Sequence, residues 1–133
     1  MNIDSVLAGL ATTLNTSITG VTCYSTPPDN LHPPCIVAVL AGIDYHDTFE
    51  DEMTAQLEAV VFAHRVDAQA GHSALHQYAE LTGDKSVHAA IYADRTLGGT
   101  VDDCTVTKAQ APEVINVAGT DYLAMRFSLE AMG

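Results

Sequence analysis

Tryptophan is missing from this 133-residue chain, and positive charge nearly so: five Lys and Arg stand against seventeen Asp and Glu, a net charge of −12. No Lys or Arg precedes Arg65. A secretory leader needs a positively charged start, so none is expected. Acidity of this degree repels phosphates and anionic membranes. It argues against DNA binding, though not against work near DNA. Long apolar runs are lacking too. The longest, Cys35–Ala41, is far short of the about 20 residues that a membrane helix needs. Cysteine is scarce and odd in number (Cys23, Cys35, Cys104), with no CxxC. That argues against a disulfide framework or a zinc ribbon, and for buried reduced thiols in a cytosolic setting. Low-complexity tracts and repeats of 20–50 residues are absent as well.

What is present suits one globular domain over residues 1–133. The apolar share is 47% against 17% charged, enough for a real core. Ile3, Val6, Leu7, Leu10 and Leu14 recur at helical spacing, with Asn2 or Asp4 as the cap, and predict a helix over 3–15. A short strand over 21–25 precedes "TPPDNLHPP", whose proline pairs predict an extended loop. "CIVAVL" at 35–40 reads as a strand covered on both faces. The acidic stretch "GIDYHDTFEDEM" reads as a long hairpin loop or its flared tips, leading into a strand over 54–66. In that strand Val60 and Phe62 make the second face apolar, which predicts a central position or a bulge. Helices are expected over 68–82, with Leu75, Tyr78, Ala79 and Thr82 on one face, and over 86–93. Strands follow over 100–108 and 121–132. The last alternates cleanly, with Leu123, Met125, Phe127, Leu129 and Ala131 inward and Tyr122, Arg126, Ser128 and Glu130 outward. Residues 114–117 form a further short strand candidate. The order implies an α+β fold: a mixed, mostly antiparallel sheet of four to five strands, helices on one face and a polar second face.

Chemistry is hard to find in this pattern. His72 and His76 are four apart on a predicted helix, yet two ligands do not close a zinc site and no HExxH is present. A GxSxG elbow and a DxDxDG calcium loop are both missing. Asp102 and Asp103, as strand neighbours, point to opposite faces. The acids Asp44, Asp47, Glu50, Asp51 and Glu52 form a solvated loop or a charge-steering surface. The glycine pair in "DRTLGGTVDDC" has no Lys after it, and its downstream acids would repel phosphate. It also follows a helix, unlike the dinucleotide fingerprint. Gly98 and Gly99 therefore read as turn geometry, in which φ > 0 lets a helix stop and the chain reverse. No catalytic residue, metal ligand or cofactor is assigned.

The run "GDKSVHAAIYADRTLGGTVDDCTVTK" at 83–108, followed by "GTDYLAMRFSLEAM" at 119–132, resembles the tail terminator proteins of long-tailed (siphovirus-type) bacteriophages, most closely those of phages infecting actinobacteria. Asp94, Thr96, Leu97, Gly98, Gly99 and Val101 match that family's D-x-T-L-G-G-x-V turn. Tyr122, Leu123, Phe127, Leu129 and Glu130 match its closing strand. The resemblance implies a small α+β domain without catalytic residues, in a ring of commonly six subunits at the head-proximal end of the tail tube. It implies self-association, and contacts with the major tail tube protein and a head–tail connector or neck protein. DNA would pass through the lumen without specific binding, and the protein would be part of the virion, assembled in the host cytoplasm. The acidic residues 44–52 are the candidate lumen or tube-facing surface. The rival expectations are a neck protein of the same virion, a small metal-binding or enzymatic domain using His72 and His76, and an acidic cytosolic binding module.

Overall fold

A computed structural model describes residues 2–18, 20–26, 34–45, 53–65, 70–117 and 119–133, apart from the side chains of 63–65 and 70–74. Helix α1 (Ile3–Ser17) starts where the Asn2 side chain accepts from the Ser5 amide at 3.1 Å. Strand β1 (Thr22–Tyr24), β2 (Cys35–Tyr45) and β3 (Met53–Arg65) follow. Helix α2 (Ala70–Ala79) and helix α3 (Val87–Ala93) come next, then β4 (Asp103–Ala109), β5 (Glu113–Val117) and β6 (Thr120–Met132). Residues 27–33 of the proline loop and residues 68–69, where the second helix was expected to begin, lie outside the described residues.

The sheet has six strands in the order β1-β2-β3-β6-β4, with β5 also paired to β6. Only β1–β2 is parallel. The count thus exceeds the four to five expected from sequence, because Glu113–Val117 does pair, with Thr120–Ala124. β6 is flanked by β3 on one side. On its other side β4 runs beside 127–132 and β5 beside 120–124. β3 is central, and its register shifts between Phe62 and His64, so both physical accounts of its apolar second face hold together.

Three helices cover one face. Val6, Leu10 and Leu14 of α1, Leu75 and Tyr78 of α2, and Val87 and Ile91 of α3 pack on Leu57, Val61, Phe127 and Leu129. Each fully buried aliphatic or aromatic side chain there contributes about 1.5–3 kcal/mol. Helix α2 stops at Ala79, so Ala79 and Thr82 are exposed rather than inward.

The second face is not uniformly polar. At one end it buries Cys35, Val37, Val60, Phe62, Tyr122 and Ala124, with Tyr24, Val39, Ile115 and Val117 against them. Tyr122, expected outward and solvated, is 6% exposed and meets Phe62 edge-on at 5.9 Å. Alternation gave the correct side of the sheet, but not that this side has its own apolar cluster. Toward the other end Arg126 bonds Glu113 at 2.6 Å and Glu58 at 3.2 Å, tying β5, β6 and β3 together. These groups are partly exposed, so each pair contributes about 1 kcal/mol or less.

Candidate functional site

The segment between α3 and β4 is a tightly hydrogen-bonded turn. Asp94 ends α3, and its carboxylate accepts from the Thr96 hydroxyl at 3.0 Å and from the Gly98 amide at 2.9 Å. The Thr96 carbonyl accepts from the amides of Gly99, Thr100 and Val101 at 2.9–3.1 Å. Short polar side chains that bond their own backbone favour such turns over helix. Leu97, Gly98 and Gly99 have φ of 50°, 73° and 88°. A Cβ added at Gly98 or Gly99 would meet nothing within 4 Å. What these glycines supply is therefore left-handed backbone, not space.

Leu97 takes the same strained conformation with a side chain, and that side chain is fully buried. A left-handed L-residue costs about 1–2 kcal/mol, and burying a Leu returns about as much or more. The Leu97 carbonyl accepts from the Thr100 hydroxyl at 3.0 Å and faces α1. A Cβ added at Gly9 would sit 2.5 Å from that oxygen. Gly9 is thus the residue of α1 that lets the turn dock, and no motif in the sequence singles it out.

Beside the turn lies an open groove of about 630 Å³, lined by Ser5, Thr12, Thr16, Asp94, Leu97 and Thr100 among others. Among the described residues Asp94 is its one titratable lining residue, and both its carboxylate oxygens already serve the turn. The groove therefore offers hydroxyls but no nucleophile with an adjacent base.

Arg95, between Asp94 and Thr96, ties the turn to β4. It forks Asp103 at 2.7 and 2.8 Å and stands 5.0 Å over the Tyr92 ring, which stacks on His88 at 4.3 Å. The bond to Asp103 pushes the guanidinium pKa up. Asp102 is exposed while Asp103 is held by Arg95, so the two carboxylates do diverge.

Of the acidic residues at 44–52, Asp44 lies on β2 opposite Thr54, exposed and bonded to Gln56. It lies on the strand end of the hairpin, the second of the two arrangements expected, because β2 continues four residues past the apolar run Cys35–Ala41, up to Tyr45. Asp47, Glu50, Asp51 and Glu52 lie outside the described residues, and so does the His72 side chain. His76 is exposed on α2. Among the described residues no three His, Cys, Asp or Glu side chains cluster as a metal site would require. The cysteines are not joined in disulfides, Cys35 and Cys104 being buried and Cys23 half-buried. Burial pushes the Cys23 thiol up to about 11 and Cys104 up to about 12, which removes the thiolate needed for reactivity. No protein-family model matches the chain, and a comparison with curated proteins finds no relative.

Proposed function

We propose that the chain is a structural virion protein, a tail terminator that forms a ring, of six copies in the form the resemblance implies, at the head-proximal end of a phage tail tube. It stops tube polymerisation there and provides the surface to which the head joins. Its partners are further copies of itself, the tube protein and a connector or neck protein, and it carries out no catalysis.

The observation that supports this reading best is the turn at 94–101. All six residues of the resemblance are structurally engaged there. Asp94 and Thr96 hold the loop, Leu97 plugs the core, Gly98 and Gly99 take positive φ, and Val101 is buried. The matching closing strand is β6, which pairs with β3, β4 and β5. Charge fits the same role. Six copies at −12 each give a ring whose lumen repels DNA phosphates and lets DNA slide, within a screening distance of roughly 8–10 Å.

The test is electron microscopy of virions carrying a tagged copy, with deletion of the gene. A ring at the top of the tail, and tails of abnormal length on deletion, are expected. Normal tails after deletion overturn the proposal. A ring on the head side of the joint moves the assignment to a neck protein.

A further inference from the structure

Two long strand edges of the sheet have no strand beside them among the described residues. β1 pairs only with Cys35–Val37, so β2 is open from Ala38 onward. On the far side, β4 pairs with β6 alone and its outer side is open. Unpaired edges are templates for another strand.

The two edges lie level with each other. Following the pairing across the sheet, Ala38, Ala59, Phe127 and Ala109 share one row, and Asp44, Thr54, Met132 and Asp103 share another. Each edge therefore presents seven residues, 38–44 and 103–109, over the same stretch of sheet. Three antiparallel steps separate β2 from β4, so the two run in opposite directions. Copies in one common orientation can then bring β4 of one against β2 of the next as an antiparallel pair.

Bulges decide whether such a pair would stay in register. β2 carries an extra residue between Leu40 and Gly42, and β4 carries one between Val106 and Lys108. They flank one row, that of Leu57 and Leu129, on opposite sides: Ala41 lies toward the row of Gln56 and Glu130, and Thr107 toward the row of Glu58 and Ser128. Against its own neighbour each bulge breaks the ladder. Against each other they cancel, and an unbroken ladder results, from Ala38 opposite Ala109 to Asp44 opposite Asp103. One charge also fits. Lys108 is exposed on β4 and would come within two strand spacings, about 9–10 Å, of Glu58 on the neighbouring copy's β3, in the same row. Asp44 would fall directly opposite Asp103, a like-charge pair that is unfavourable alone and that Arg95, which uses Nε and one terminal nitrogen on Asp103 and keeps further N–H groups, would have to bridge.

We infer that β2 of one copy and β4 of the next join edge to edge, their bulges one residue apart and cancelling, making one sheet continuous between copies. This head-to-tail contact is heterologous and closes as a ring when the rotation permits. It rests on the ring reading in one respect, that copies of this chain associate.

The test is a double variant, Leu40→Cys with Thr107→Cys, oxidised mildly with diamide at high protein concentration. The two positions lie three strands apart in one molecule, about 14 Å, too far for an internal disulfide. Covalent multimers of three or more copies are expected, with none in either single variant and few in the out-of-register pair Leu40→Cys with Asp103→Cys. Lys108→Glu keeps the fold and should weaken association about 2–5-fold per contact, which sedimentation reads. Assembly by mass without this cross-link overturns the seam and leaves the ring standing. Cross-linking that stops at dimers also overturns the seam. A chain that stays monomeric and uncross-linked at millimolar concentration overturns the seam and the ring together.

Discussion

Three glycines of this chain do different jobs, and substitution separates them. Gly98 and Gly99 have positive φ with open space around them. Gly98→Val should cost about 1–2 kcal/mol through backbone strain. Gly98→Asn should cost clearly less, since Asn visits the left-handed region more readily. Urea midpoints of the two variants measure this, and equal losses would show that bulk rather than φ is at stake. Gly9 is the opposite case. In an unconstrained helix interior, Gly→Ala stabilises by about 0.8–1 kcal/mol. Here the added Cβ meets the Leu97 carbonyl oxygen at 2.5 Å, so Gly9→Ala should lower the melting temperature. A rise would mean that α1 and the turn do not press on each other.

Elements were legible in the sequence wherever one face is apolar and the other polar. The periodicity of α1 and the alternation of β6 predict those elements and the residues they bury under the helices, though not the burial of Tyr122 and Ala124 on the other face. Ser86 illustrates what periodicity misses. It is 1% exposed, caps α3 by accepting from the Ala89 amide at 3.0 Å, and donates to the Glu80 carbonyl. Ser86→Ala should cost about 1–2 kcal/mol, read as a shift in urea midpoint without a change in slope. Phe127→Ala, in the middle of β6 and the largest fully enclosed side chain, should cost about 3–5 kcal/mol. The bulges at Ala41 and Thr107, the share of Tyr122 and Ala124 in the buried end of the second sheet face, which "CIVAVL", Val60 and Phe62 did announce, and the Gly9 contact were not legible. Each depends on which strand or turn lies alongside, and that is decided by residues distant in sequence. The turn at 94–101 was legible as geometry because Asp, Thr and Gly bond and bend locally. Its partner on α1 was not.

For the molecule as a whole, the buried thiols set an alkaline limit on stability. In the unfolded chain a thiol titrates near its ordinary 9.0, whereas folded Cys104 keeps its proton up to about 12 and Cys23 up to about 11. Between those values the unfolded state binds fewer protons, so stability falls as pH rises. Below pH 9.0 their contribution is intact. Urea midpoints should therefore drop from pH 9 upward, and the drop should be shallower in Cys104→Ala. A midpoint independent of pH across this window would contradict the burial of these thiols.

The contact between Gly9 and Leu97 also sets a clock. The two residues are separated by about 90 positions of chain. At 5–20 residues per second, α1 emerges from the ribosome roughly 5–20 seconds before the turn it docks on exists. An isolated helix of that length is marginal in water, so Val6, Leu10 and Leu14 spend those seconds without the core that later hides them. Slowing translation after α1 would lengthen this exposure without changing a single contact in the finished fold.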